Sequence, residues 1–236
     1  RTRTGRPGPR YWTQYAHYRL SAALDPATRV LTGQGTVRYF NRSPDTLRTV
    51  AVYLHPNLFE PGAIRNDPVP AVGGMTLTRV VAGGTALSAV PSADTLTRPS
   101  YSVNGTVATI RLAQPLAPGG SADFGFAWSY PVPPDGAPRT GTDGEVFYIA
   151  YWYPQIATYD DVNGWFTDPY MGRAEFYMDY ADYDVSITVP QGWLVGSTGT
   201  LQNAAEVLAP QTLSWVEASR PGKGTTQLVP AGGRGA

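Results

Sequence analysis

Cysteine is absent from the 236-residue sequence, and histidine occurs only twice. Without cysteine the chain forms no disulfide, and it offers neither a thiolate nucleophile nor a cysteine-ligated zinc site. The zinc-peptidase motif H-E-x-x-H needs two histidines one helical turn apart, whereas His17 and His55 are far apart. No G-x-S-x-G motif accompanies either of them, so we interpret both as histidines of a sheet face or a turn.

Charge is scarce and balanced. Only 15 % of the residues are charged, and 18 basic residues match 18 acidic ones. A net charge of zero does not favour nucleic acid as a partner. The sequence has no run of about 18 apolar residues, so no membrane span is predicted, and it has no Gly-rich phosphate loop.

Glycine, proline and apolar residues are plentiful. The chain has 26 Gly and 22 Pro, and 42 % of its residues are hydrophobic, a composition typical of many short strands joined by turns. Apolar and polar residues alternate, as in half-buried strands, in segments 18–24, 35–40, 50–54, 101–103, 106–112, 124–130 and 183–189. Asn104-Gly105 is predicted to be a two-residue hairpin turn.

This pattern predicts an all-β domain, an antiparallel β-sandwich or open saddle-like sheet with little helix. We expect a flexible arm over residues 1–10, a single β domain over 11–208, and an irregular or truncated tail or linker over 209–236. The best helix candidate is 203–220.

Carboxylates are concentrated in segment 143–184, which has nine of them against Arg173 alone. The Asp- and Asn-rich stretch around Gly164 hints at calcium, but Tyr159 and Tyr170 occupy the first and last ligand positions of the calcium-loop template. An Asx-rich turn is the favoured interpretation. A glycosidase pair could be assembled from Glu145, Glu175 and Asp179, but the sequence does not place them at a working separation.

Aromatic rings are concentrated in residues 147–159 and 176–183. Rings on both faces of 147–159 predict a strand that is buried on both sides or covered by another domain. Ring faces also stack on sugars, so a stand-alone binding module for carbohydrate or a surface protein is an alternative function, with Trp152 as the residue to test.

Four phrases, in order and in register over residues 11–208, resemble the amino-terminal domain of the aminopeptidase N family of zinc metallopeptidases, and its bacterial branch most of all. The phrases are Leu31-Thr32-Gly33 followed by 39–43 (YFNRS), Trp152-Tyr153-Pro154 leading to Tyr159-Asp160, 183–190 (YDVSITVP) and 195–201 (VGSTGTL).

The resemblance implies a saddle-shaped β domain that covers the active site of a downstream zinc domain of the same polypeptide. Zinc, the general base and the main peptide-binding motif would belong to that domain, so this chain holds no cofactor, catalytic residue or metal ligand and is expected to be inactive alone. The family's first domain lends one Gln or Glu to the substrate's α-amino group, about nine residues before the Pro of the second phrase. Counting back from Pro154 identifies Glu145 as this substrate-binding residue. Together with the carboxylates of segment 143–184 and the rings on both faces of 147–159, this predicts that residues 143–184 form the face toward the catalytic domain. Many bacterial members are exported, so an extracytoplasmic location, periplasmic or secreted, is expected.

Overall fold

The computed structural model describes residues 3–134, 138–173, 176–219, 222 and 227. It contains two compact units, Arg1–Ile187 and Thr188–Ala236. The sequence predicted one β domain over 11–208, and the structure divides the chain at residue 187. Among the described residues of the first unit, the regular elements are β-strands and two short 3₁₀ helices, which confirms the all-β fold class.

The larger sheet of the first unit has six strands in the order β14-β1-β2-β8-β4-β5. Their bounds are β1 Tyr15–Asp25, β2 Val30–Phe40, β4 Thr76–Ala82, β5 Thr85–Ala86, β8 Ser121–Pro131 and β14 Ala181–Thr188. β1, β2 and β8 are long antiparallel neighbours, with His17 opposite Arg38 and Arg38 opposite Asp123. This regular register places alternate side chains of all three strands on one buried face.

The second sheet has four strands in the order β11-β3-β7-β6. Their bounds are β3 Leu47–Tyr53, β6 Ser100–Asn104, β7 Val107–Leu116 and β11 Gln155–Ile156. The hairpin between β6 and β7 confirms the prediction, but its turn is displaced by one residue. Asn104 pairs with Val107, so the two turn residues are Gly105 and Thr106. The Asn57 amide donates to the Gly105 carbonyl, and Leu54 N–H donates to that of Thr106; contacts from elsewhere in the chain thus hold this turn.

Facing side chains of the two sheets form one hydrophobic core. β8 contributes Phe124, Phe126, Trp128 and Tyr130, each at most 5 % exposed, as the alternation predicted. Gly33 of β2 lies against the Trp128 ring, where a Cβ atom would be only 2.3 Å from the nearest ring carbon. Glycine is therefore required at this position for β2 and the indole to pack.

The predicted turn after β2 is organised by the fully buried side chain of Asn41. Its amide donates to the carbonyls of Asp45, at 2.7 Å, and Leu116, at 3.1 Å. Its Oδ1 accepts from the Ser43 hydroxyl at 2.6 Å. One buried carboxamide thus links the end of β2 to the end of β7.

β14 has the predicted apolar face but not the predicted burial. Tyr183, Val185 and Ile187 are 43 %, 45 % and 41 % exposed. The reason is position, because β14 ends the strand order of the six-stranded sheet and its side chains are not enclosed as those of central strands are.

Four short strands and two 3₁₀ helices complete the first unit. They are β9 Thr140–Asp143, β10 Val146–Ile149, β12 Tyr159–Asp160, β13 Gly164–Trp165, and the helices His55–Phe59 and Ala93–Thr95. The second unit contains α1 Ala204–Val207 and α2 Pro210–Ser219. The candidate segment 203–220 is therefore helical, but as two helices, and α2 lies within the stretch 209–236 that was expected to be irregular.

Candidate functional site

Glu145 occupies the tip of the hairpin formed by β9 and β10. Asp143 pairs with Val146, so the turn residues are Gly144 and Glu145. Gly144 has a φ of +59°, which suits a tight hairpin turn with glycine at its first central position. Glu145 is exposed there. The hairpin therefore presents a carboxylate away from the core of the first unit.

The base of this hairpin is fixed by packing and hydrogen bonds. Phe147 and Ile149 of β10 pack against the main core. Ala150 N–H donates to the Arg139 carbonyl at 3.1 Å, and the Thr140 hydroxyl donates to the Ala150 carbonyl, also at 3.1 Å. Because the base of the hairpin is fixed and its tip is exposed, Glu145 is free to contact another domain.

Aromatic rings surround the side chain of His55. Ring centroids of Tyr53, Tyr151, Tyr170 and Phe176 lie 5.0–5.4 Å from the imidazole. His55 is 5 % exposed, and its Nδ1 has no hydrogen-bond partner among the described residues. Burial lowers the pKa of His55 to about 3, so the imidazole is neutral at physiological pH. This histidine begins the 3₁₀ helix after β3, and His17 lies on β1, which confirms their interpretation as turn and sheet-face residues.

Tyr151 enters this ring cluster with an unusual backbone conformation. Its φ is +55°, a region that non-glycine residues seldom adopt. Its ring stacks on Phe176 with centroids 3.7 Å apart, and the Arg139 guanidinium lies 4.9 Å from the Phe176 centroid. These ring contacts hold residues 150–154, which connect β10 to β11, in one conformation.

The ring-rich segment 147–159 is not a single strand. It passes from β10 through a bend into β11 and then β12. Residues 154–158 are buried, within the first unit. The half-buried Trp152 packs beside Trp128 and Tyr153, and its carbonyl accepts from the Trp128 indole at 2.8 Å. Trp152, on which the sugar-binding alternative depended, is therefore joined to the core.

The Asp160 region forms the predicted Asx turn. Oδ1 of Asp160 accepts from the backbone N–H groups of Val162, at 2.8 Å, and Asn163, at 2.7 Å. Its Oδ2 accepts from the Tyr177 hydroxyl at 3.0 Å. The carboxylate is thus engaged within its own loop, which confirms that interpretation.

The carboxylates of segment 143–184 do not form one acidic face. On β14, Asp184 contacts His17 at 3.1 Å and Arg19 at 3.5 Å, and Asp182 accepts from the Tyr15 hydroxyl. Carboxylates of β14 are thus paired with side chains of β1 where the two strands meet. Glu145 is separate from these pairs.

A narrow cleft in the first unit brings Asp179 together with Tyr39 and Gln155; we call it the Asp179 cleft. Tyr18 and Tyr183, whose rings stack 4.9 Å apart, also line it. Tyr39 and Gln155 are 2 % and 5 % exposed, and Tyr39 Oη and Gln155 Oε1 lack hydrogen-bond partners among the described residues. Burial, and then the charge of Asp160, raise the pKa of Asp179 to about 6.

The residues considered for a glycosidase pair fall in different places. Asp179 lines the cleft, Glu145 is not among the cleft residues, and Glu175 lies outside the described residues. Sequence reasoning missed the cleft because Tyr39, Gln155 and Asp179 come from distant segments. The one signal was Gln155, a polar residue within the apolar run 151–157.

Within the part of the chain that the structure describes, no group of three or more His, Cys, Asp or Glu side chains could hold a metal ion. Four aromatic rings contact His55, and the described residues do not fit zinc. No described helix is long and apolar enough to cross a membrane.

Comparisons with known proteins found similarity only among solved structures. No family model and no curated protein matches the sequence. A point mutant of an M1 zinc metallopeptidase from Deinococcus radiodurans, bound to a Tyr-Ser-Ala substrate, is 13 % identical with a TM-score of 0.47, over 81 % of this chain and 37 % of that one. The unsubstituted enzyme is 15 % identical with a TM-score of 0.40, over 81 % of this chain and 36 % of that one. Legionella pneumophila aminopeptidase A in complex with aspartic acid is 8 % identical with a TM-score of 0.32, over 58 % of this chain and 12 % of that one.

The chain thus spans little more than a third of the Deinococcus structures that it resembles. At these identities and TM-scores, the likenesses do not establish a family for this chain.

Proposed function

We propose that this chain is the non-catalytic N-terminal β domain of a zinc aminopeptidase, which covers the active site and helps bind the substrate's α-amino group through Glu145. The observation that carries the proposal is the exposed position of Glu145 on a hairpin whose base is packed and hydrogen-bonded. The resemblance of the four sequence phrases is the basis for proposing this family. The aminopeptidase zinc would lie in a downstream domain of the same polypeptide.

The chemistry of the contact follows from charge and solvation. A protonated α-amino group and a carboxylate form a charge-assisted hydrogen bond, which is stronger than one between neutral groups. At the exposed hairpin tip alone, water screens this attraction. When a second domain and a peptide cover the tip, the effective dielectric constant falls and the attraction grows. The proposed role of Glu145 therefore requires the assembled enzyme.

The first test is the downstream coding sequence of the parent gene. We expect it to continue into a segment with H-E-x-x-H, in which two histidines ligate zinc and the glutamate acts as general base. A stop codon followed by unrelated sequence would contradict the proposal and leave the stand-alone binding module as the better account.

The second test uses the full-length enzyme with Glu145→Ala. We expect KM for free-amine peptides to rise roughly ten- to hundred-fold, for a lost charge-assisted contact of about 1.5–3 kcal/mol. Cleavage of an amino-acetylated peptide should change far less. Asp94→Asn, at an exposed carboxylate of the second 3₁₀ helix, is the matched control and should leave both substrates unaffected.

The two substrates distinguish substrate binding from a structural role. Equal losses on both would mean that Glu145 supports the fold, and a lowered melting temperature of the variant would indicate the same. An unchanged KM for free-amine peptides would refute the assignment of Glu145 while leaving the family proposal to the coding-sequence test.

Location is part of the same proposal. We expect the parent enzyme to be extracytoplasmic, as many bacterial members of the resembled family are. Cell fractionation with an antibody against this chain tests the point, and recovery only in the cytoplasmic fraction would contradict it.

A further inference from the structure

The Asp179 cleft contains three polar groups without partners among the described residues. Tyr39 Oη and Gln155 Oε1 are buried and unbonded. No hydrogen bond or ion pair involves the Asp179 carboxyl within the described part of the chain. Buried polar groups in native proteins are nearly always satisfied, and leaving one unpaired costs about 1–3 kcal/mol. Two such groups beside the partly buried carboxyl of Asp179 indicate a missing partner.

The chemistry of the three groups defines that partner. The carboxylate of Asp179 and the amide oxygen of Gln155 can only accept hydrogen bonds, and Tyr39 Oη can accept one as well. A single partner that satisfies all three must therefore carry several N–H or O–H donors.

Charge and size narrow the choice further. No Lys, Arg or His is among the described residues that line the cleft, and the nearby Asp160 adds negative potential. The cleft has room for about one water-sized group.

We propose that the Asp179 cleft binds a primary ammonium group, with the Asp179 carboxylate, Gln155 Oε1 and Tyr39 Oη as its acceptors. An ammonium group has three donors, the charge opposite to that of the carboxylate, and the size of a water molecule. The proposal concerns a carboxylate other than Glu145 and does not rest on the proposed aminopeptidase function.

The titration of the cleft gives the binding a pH dependence. The pKa of Asp179 is about 6, so the carboxylate is mostly ionised at pH 8 and mostly neutral at pH 5. Burial raises the pKa of the facing phenols of Tyr18, Tyr39 and Tyr183, so they stay neutral over this range. Asp160, the other acid that acts on Asp179, carries its charge throughout, since its pKa lies below its ordinary value. Ammonium binding should therefore be strong at pH 8 and weak at pH 5.

The test is thermal unfolding of the purified chain at pH 8 with methylammonium chloride replacing sodium chloride at constant ionic strength. A ligand of the native state at tenfold its Kd should raise the melting temperature by about 3–6 °C for a chain of this size. We expect a saturable rise of this order with methylammonium at pH 8 and little at pH 5. Tetramethylammonium, which has no N–H donor and exceeds the cleft, should give none.

Two variants assign the effect to the cleft. Asp179→Asn should abolish the methylammonium shift, and Tyr39→Phe, which keeps the ring and removes one acceptor, should weaken binding roughly three- to tenfold, the loss of one hydrogen bond. Asp94→Asn should retain the full shift.

Several outcomes would overturn the proposal. An equal shift with tetramethylammonium, or a shift retained in Asp179→Asn, would place the binding elsewhere. A larger shift with potassium than with methylammonium would make the cleft a metal-cation site, and no saturable shift with any salt would mean that it holds only water.

Discussion

Acid should destabilise this fold through His55, and replacing that histidine with phenylalanine should remove the effect. The imidazole is 5 % exposed and lies among the rings of Tyr53, Tyr151, Tyr170 and Phe176. A phenylalanine keeps an aromatic ring in this environment and has no nitrogen to leave unpaired. The substitution thus removes the titrating group and keeps much of the packing.

The sign and size follow from the difference in pKa between the folded and unfolded states. Burial lowers the pKa of His55 from 6.5 to about 3 when the chain is folded. Between these values the unfolded chain binds a proton that the folded chain does not, so stability falls as the pH falls below 6.5. At about 1.36 kcal/mol per pH unit, the loss at pH 5 relative to pH 7.5 is about 2 kcal/mol.

The assay is urea unfolding of the wild type and His55→Phe between pH 7.5 and pH 5. The free energy of unfolding of the wild type, relative to the variant, should fall by about 2 kcal/mol over this range. Other titrating groups, Asp179 included, are present in both proteins and cancel in the difference. His17→Gln is the matched control, because His17 is a partly exposed residue of β1 paired with Asp184, and it should not reproduce the behaviour of His55→Phe.

A difference between wild type and His55→Phe that does not change with pH would refute the reasoning. An NMR titration in which the His55 imidazole of the folded protein changes charge near pH 6.5 would also refute it. The NMR measurement holds even if the phenylalanine variant folds poorly.

Three further predictions concern the core, the β2 turn and metal content. Gly33→Ala should lower the free energy of unfolding by about 1–3 kcal/mol, because the new Cβ atom would lie 2.3 Å from the buried Trp128 ring; Gly8→Ala, with no atom within 4 Å of the new Cβ, is the control, and equal urea midpoints for the two variants would contradict the prediction. Asn41→Ala should cost about 2–4 kcal/mol in the same assay, because it leaves buried carbonyls such as that of Leu116 without their donor; a loss below 1 kcal/mol would show that water replaces the amide. The dialysed chain should hold no stoichiometric zinc by elemental analysis, and one zinc per chain would overturn the proposed division of labour with a downstream domain.

Alternation in the sequence determined the strands and much of the core. Tyr18, Leu20, Ala22 and Leu24 were predicted to share one face of β1; the first three are buried and Leu24 is partly buried. Period-2 alternation is a local property, because successive side chains of a strand point to opposite faces. The turn after β2 and the Asx turn at Asp160 were likewise predictable from short stretches, whereas α2 lies in residues that were expected to be irregular.

Position within a sheet was not predictable from alternation. The same pattern occurs in β8, whose apolar side chains are enclosed, and in β14, whose Tyr183, Val185 and Ile187 are 41–45 % exposed. Alternation shows which residues share a face, but the strand order decides whether that face is covered. For the same reason the ring-rich segment 147–159 was expected to be one strand and is instead a hairpin arm, a bend and two short strands.

The sequence by itself determined the absence of a zinc-peptidase motif, the all-β class and, through its resemblance to a family, the choice of Glu145. Only the tertiary structure placed Glu145 at an exposed hairpin tip, enclosed His55 in rings, and brought Tyr39, Gln155 and Asp179 into one cleft. Sequence motifs and the alternation of apolar and polar residues depend only on residues that are close in the sequence. Burial and the pKa shifts that follow from it depend on which distant segments meet, and that is decided by the packing of the two sheets and their connections.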